Sequence, residues 1–164
     1  MTMEFQFAQN HKPQPVLIPA DHAATAKASS YVDLKDLNWA TFLVQFGAIT
    51  GGTATITVEA STASSSNATE AAIPFKYRLS GAVDTDTMGA ITSATSAGAS
   101  ITASDDNKLL IIEVDPTALP GNPGEDYRFL RLVTAQTTDM TAFVAGVVFL
   151  GAPRYAGNSI PSVT

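Results

Sequence analysis

The sequence predicts an all-β protein: a single antiparallel β-sandwich, jelly-roll-like, with an extended N-terminal arm. Three observations lead there. Residues 51–62, GGTATITVEAST, alternate Ala54, Ile56 and Val58 with Thr53, Thr55, Thr57 and Glu59. That period of two puts an apolar face on one side of a strand and a hydroxyl face on the other. Similar short runs recur along the chain, separated by Gly, Pro, Asn, Asp and Ser, the turn-forming residues. No segment keeps an amphipathic helical period for three turns; residues 21–29, DHAATAKAS, come nearest but have no apolar stripe. These features point to a sandwich or barrel.

The elements follow in order. Residues 1–20 are expected to form the arm, and residues 21–164 the sandwich domain. In the arm, Phe5 and Phe7 alternate with Glu4 and Gln6, and Pro13, Pro15 and Pro19 bracket Val16, Leu17 and Ile18. Proline removes backbone donors and fixes φ, so this stretch is extended and at most an edge strand. Residues 30–34 (SYVDL) suggest a short strand. Residues 39–46 (WATFLVQF) place Ala40, Phe42, Val44 and Phe46 on one face and Trp39 and Leu43 on the other. Apolar residues on both faces suit a central strand. The Gly51-Gly52 turn leads into the next strand, over residues 53–59.

Residues 61–69 (STASSSNAT) form a polar loop. Residues 73–79 (IPFKYRL) alternate, with Pro74 pushing their start to an edge. Residues 88–103 carry only Ile91 and Ile101 as large aliphatics, and suggest two weak strands around Ala97-Gly98. Residues 108–114 (KLLIIEV) are a clear strand. Asp115 then caps a helical turn with Pro116 in its first position, closed by Pro120 and Gly121. The last two strands are residues 127–134 (YRFLRLVT) and 142–150 (AFVAGVVFL); the short connection AQTTD predicts a hairpin between them. The expected core is Phe42, Val44, Ile56, Val58, Leu110, Ile112, Leu130, Leu132, Val147 and Phe149.

Composition narrows the function. A chain of 164 residues with 45% hydrophobic and 15% charged residues is long enough for one domain with a real core. The net charge is −6 and the nine Lys and Arg residues are scattered, which argues against nucleic acid as a partner. With no cysteine, disulfides, thiolate metal sites and cysteine nucleophiles are excluded. The N-terminus lacks a basic region followed by an apolar one, so no secretory leader is expected. The longest apolar run, residues 142–152, is about half of the ~20 residues a membrane helix needs, and no membrane partner is expected.

Sequence motifs for catalysis are weak. His11 and His22 lie outside the clear strands, and no G-x-S-x-G accompanies them. Asp84-Thr85-Asp86 and Asp105-Asp106-Asn107 resemble fragments of calcium loops, but the required Glu is missing and turn capping explains them. Glu59 and Glu113 sit on strands and could meet as a glycosidase pair; surface solubility explains each as well. Trp39, Tyr31, Tyr77, Tyr127 and Tyr155 are candidates for a sugar-binding cleft or for packing between sheets. No cofactor, metal or catalytic residue is therefore assigned, and the chain is expected not to be an enzyme.

Several segments carry a family resemblance: PVLIPA, SSYVDLKDLNWATFLVQF, GGTATITVEAST, KLLIIEVDPTALPGNPGEDYRFLRLVTA, and VVFLGAPRYAG with its Pro153-Arg154-Tyr155 tripeptide. Together these resemble small head-associated structural proteins of tailed bacteriophages, of the decoration or cement type. The resemblance runs from about Pro15 to Tyr155. It implies a non-enzymatic virion protein, made in the host cytoplasm, that binds the outer capsid surface and stabilises the head. The implied partners are the major capsid protein and further copies of the chain, by analogy a trimer. Phe5, Phe7, Val16, Leu17 and Ile18 of the arm are the expected interface residues. A host- or carbohydrate-binding module on a virion fibre, and a head–tail connector or tail protein, are the alternatives.

Overall fold

The computed structural model describes residues 11–21, 26–35, 37–65, 68–83, 85–121, 126–136 and 140–153. Twelve strands are described: β1 (Lys12–Asp21), β2 (Lys27–Ala28), β3 (Val32–Asp33), β4 (Leu37–Thr50), β5 (Thr53–Ser61), β6 (Glu70–Ile73), β7 (Phe75–Leu79), β8 (Thr92–Ala94), β9 (Ala99–Thr102), β10 (Leu109–Val114), β11 (Phe129–Gln136) and β12 (Thr141–Pro153). Among the described residues the only helical pieces are two single 3₁₀ turns, Ala103–Asp105 and Pro116–Ala118. None of these is long and apolar enough to cross a membrane.

The strands form two antiparallel sheets. The first has the order β1-β12-β4-β10-β7-β8. The second runs β2-β11-β5-β6, with β3 also on β11 and β9 also on β5. Alternation along each strand drives one face of each sheet inward. Ala40, Phe42, Val44 and Phe46 of β4 meet Ile56, Val58, Leu130 and Leu132 of the second sheet in one buried cluster. Burial of these side chains is the main favourable term holding the sheets together.

Most connections pass from one sheet to the other. Pro74, with no N–H to give a ladder, separates β6 in the second sheet from β7 in the first. Twenty residues on, β8 pairs with β7, and the chain returns to the second sheet as β9. β6 and β9 lie end to end along the same edge of β5: Ile73 faces Val58 and Ala99 faces Ile56. The two crossings therefore run side by side. Gly98 closes this corner at φ +89°, where a Cβ would stand 2.4 Å from the Ile56 carbonyl oxygen. Only glycine fits a backbone so placed.

Two expectations need correction. β11 and β12 do not form a hairpin: β11 pairs with β2, β3 and β5, while β12 pairs with β1 and β4. A short linker suits a crossing between sheets as well as a hairpin, and periodicity names a strand's face but not its partner. Val147 and Phe149 are half-buried on the outer face; Val144, Val148 and Leu150 occupy the core instead. β12 is apolar on both faces, so its parity was not readable from hydrophobicity alone. The other eight expected core residues are all buried.

Within the expected arm, residues 12–21 form the edge strand of the first sheet, from Lys12 opposite Leu150 to Asp21 opposite Phe143. The register shifts twice along this pairing. The Ser30 N–H also donates to the Val16 carbonyl at 3.1 Å, tying β1 to the second sheet's side. Phe5 and Phe7 lie outside the described residues.

Candidate functional site

β1 divides the expected interface residues. The irregularity between Pro15 and Leu17 lets two successive residues turn inward. Val16 and Leu17 are buried, and Leu17 fills the space above Gly146, its Cδ1 3.2 Å from where a Cβ would stand. Both are covered by the chain's own residues. Ile18 turns the other way and is 83% exposed. Pro13, Pro15 and Pro19 are exposed beside it. On the adjoining strand Phe143 is 56% exposed, flanked by the buried Ala142 and Val144. The outcome is an apolar strip along the β1 and β12 side of the first sheet. Phe143 escaped the sequence reading because it sits in a run where every residue is apolar or small.

The outer face of the second sheet is polar and knitted together. Arg131 of β11 stands opposite Glu59 of β5. Its Nε donates to Glu59 Oε2 at 2.9 Å, its Nη1 donates to the Tyr31 hydroxyl at 3.0 Å, and its Nη2 pairs with Glu70 of β6. The guanidinium carbon also lies 5.1 Å from the Tyr31 ring centre. Tyr31 donates its own proton to Glu70, and this bond, with burial, raises the phenol above its ordinary value. Burial disfavours the Arg131 charge, but the bond to Glu59 and the nearby carboxylates outweigh it and raise the guanidinium pKa. Every member of this cluster is committed to another, so the cluster reads as a clasp across β5, β6 and β11.

At the end of that sheet Asp33 accepts from Arg128 Nε at 2.6 Å and also pairs with its Nη2. The bond to Arg128 chiefly holds the Asp33 carboxyl below its ordinary value. Asp105 and Asp106 act as turn residues. Asp105 accepts from the Thr102 N–H at 2.9 Å and Asp106 from the Ile49 N–H at 2.7 Å. Asp84 and His22 lie outside the described residues. Among those described, no group of three or more metal-ligating side chains is close enough to hold an ion.

The proposed carboxylate pair does not form. Glu59 belongs to the second sheet and Glu113 to the first, and each points to its own outer face. The aromatics do not line one cleft either. Tyr127 is buried and Tyr77 of β7 packs against the core. Tyr31 is in the clasp, and Tyr155 lies outside the described residues.

Trp39 is placed differently. It starts the outer face of β4, beside Gly151 of β12. The missing side chain at Gly151 leaves room for the Trp39 ring and the His11 ring, which meet edge to face at 5.9 Å and 68°. Trp39 also helps line a cleft of about 530 Å³ at the end of the first sheet. Phe75, Pro74, Ala94, Val114 and Ala118 supply its apolar walls, while Asn38, Lys76, Ser93, Glu113 and Asp115 supply polar groups. Asp115 caps the 3₁₀ turn, accepting from the Thr117 N–H at 2.9 Å, and that backbone bond lowers its pKa. The N-cap role was legible in the sequence; the meeting of residues 38–39, 74–76, 93–94 and 113–118 was not.

No family model, no curated protein and no solved structure matches this chain.

Proposed function

We propose that this chain is a non-enzymatic structural protein of a phage virion that binds the outer capsid surface and stabilises the head. In this reading the two-sheet body is a jelly-roll-like sandwich, and the resemblance segments contribute to β1, β3, β4, β5, β10, β11 and β12. One structural observation carries the proposal: the exposed apolar strip of Pro13, Pro15, Ile18 and Phe143 on the β1 and β12 side. Burying one large apolar side chain contributes about 1.5–3 kcal/mol. Such a contact is weak for one molecule, but many copies on a shell act together through effective concentration. The prolines shape the contact. Pro13 and Pro15 offer no N–H at the sheet edge, which disfavours strand addition and favours packing face to face.

The test is a binding isotherm on purified empty capsids. Ile18→Asp with Phe143→Asp replaces two exposed side chains and should leave the β-type circular dichroism unchanged while weakening binding tenfold or more, about 1.4 kcal/mol. Removing residues 1–10, with Phe5 and Phe7, should weaken it further. Unchanged affinity of both folded variants would overturn the proposal. Copy number separates the alternatives: hundreds per particle support a shell protein, whereas about six or twelve indicate a closed ring at a connector.

A further inference from the structure

We infer that the cleft over Trp39 is a binding site for a neutral saccharide of one or two rings. The inference rests on the cleft alone and stands whether or not the chain binds a capsid. At about 530 Å³, its volume falls within the range of roughly 300–1,000 Å³ typical of small-ligand sites. Its composition is what a pyranose needs. A sugar ring has an apolar C–H face and an equatorial fringe of hydroxyls. Trp39 gives the apolar floor, and an aromatic face is the usual partner for such C–H groups, while the buried Phe75 backs the cleft from the core.

The fringe matches as well. Glu113 and Asp115 accept hydrogen bonds, Lys76 donates, and Asn38 does both. Each of these four side chains is exposed around the half-buried indole, so hydroxyl groups can replace water without a buried polar group being orphaned. The low pKa of Asp115 keeps it an acceptor. Charge selects against acidic sugars and phosphates. Two carboxylates face one ammonium group, leaving the rim net negative, and an anion would meet repulsion. His11 packs edge to face against the indole, which restrains the platform before a ligand arrives and reduces the ordering cost.

Trp39 is the only tryptophan in the chain, so its fluorescence reports on the cleft directly. The full-length protein is titrated with maltose, lactose, cellobiose and N,N′-diacetylchitobiose up to about 20 mM, enough to saturate a site with Kd near 1 mM. At least one should give a saturable change, confirmed by calorimetry. Glu113→Gln should weaken that binding about three- to tenfold. Trp39→Ala should abolish it. Ser93→Trp, which fills the cleft from the exposed β8 without touching the core, should do so too and guards against misfolding of the Trp39 variant. Glu70→Gln, on the opposite sheet, should leave affinity unchanged.

The inference is overturned if none of the four sugars binds, or if binding persists in the folded Ser93→Trp variant. A response to tetramethylammonium chloride with none to the sugars would also overturn it, showing a cation site instead.

Discussion

Asp33 shows how much one side chain can contribute to the pH response. Its carboxyl is gripped at both oxygens by Arg128 and also accepts from the Lys35 N–H at 2.8 Å. These bonds favour the charged form, so Asp33 titrates below the ordinary value of about 3.9 in the folded chain. Between the folded and unfolded values the unfolded chain binds more protons. The stabilisation is thus complete above the unfolded pKa and is lost as pH falls through the folded one. Urea midpoints measured from pH 7 down to pH 2 should decline below about pH 4. In Asp33→Asn that decline should be shallower, from a lower starting stability at neutral pH. Parallel profiles in the two proteins would remove Asp33 from the account of acid sensitivity. The aspartate is visible in the sequence, but nothing in SYVDL identifies Arg128, 95 positions away, as its partner.

At the scale of the element, the paired crossings at Pro74 and Gly98 are the most constrained feature. The sequence marks both: a proline inside an alternating run, and a glycine in the middle of a weak strand region. It does not say that both mark changes of sheet at one corner, because that depends on β6 and β9 sharing an edge of β5. Gly98→Ala should be costly on two counts. The positive φ alone is worth about 1–3 kcal/mol to a side chain, and the new methyl would press on the Ile56 carbonyl and on Thr55 and Thr57. Gly121→Ala is the control, since a Cβ there meets nothing within 4 Å. A fall in the denaturation midpoint for the first and little change for the second is the expected result. Equal midpoints would mean that the corner relaxes without cost.

For the whole molecule, the decisive quantity is the parity of each strand against the shared core. Ile112 is fully buried between the sheets, and Ile112→Ala should cost about 2–5 kcal/mol. Val147, half-buried on the outer face of β12, should lose less than half as much on truncation to Ala, whereas Val148→Ala should resemble other core truncations. Equilibrium unfolding of the three variants in urea tests this ordering directly. Equal losses at Val147 and Val148 would show that both faces of β12 are covered in solution.

The sequence by itself determined the all-β class, the position of most strands though not of β2 or β6, and the inward face wherever apolar and polar residues alternate. Those properties are local: a period of two, a β-branched side chain or a proline acts within a few residues. The tertiary structure decided the rest. It set which strands are neighbours, turned an expected hairpin into a crossing, chose the buried face of the uniformly apolar β12, and made residues 12–21 an edge strand. It also brought Trp39, Phe75, Glu113 and Asp115 around one cleft and sent Glu59 to the opposite sheet. Each of these outcomes depends on contacts between residues far apart in the chain. Hydrophobic burial drives such contacts without direction, and the pairing that satisfies the backbone everywhere at once belongs to the assembled sheets.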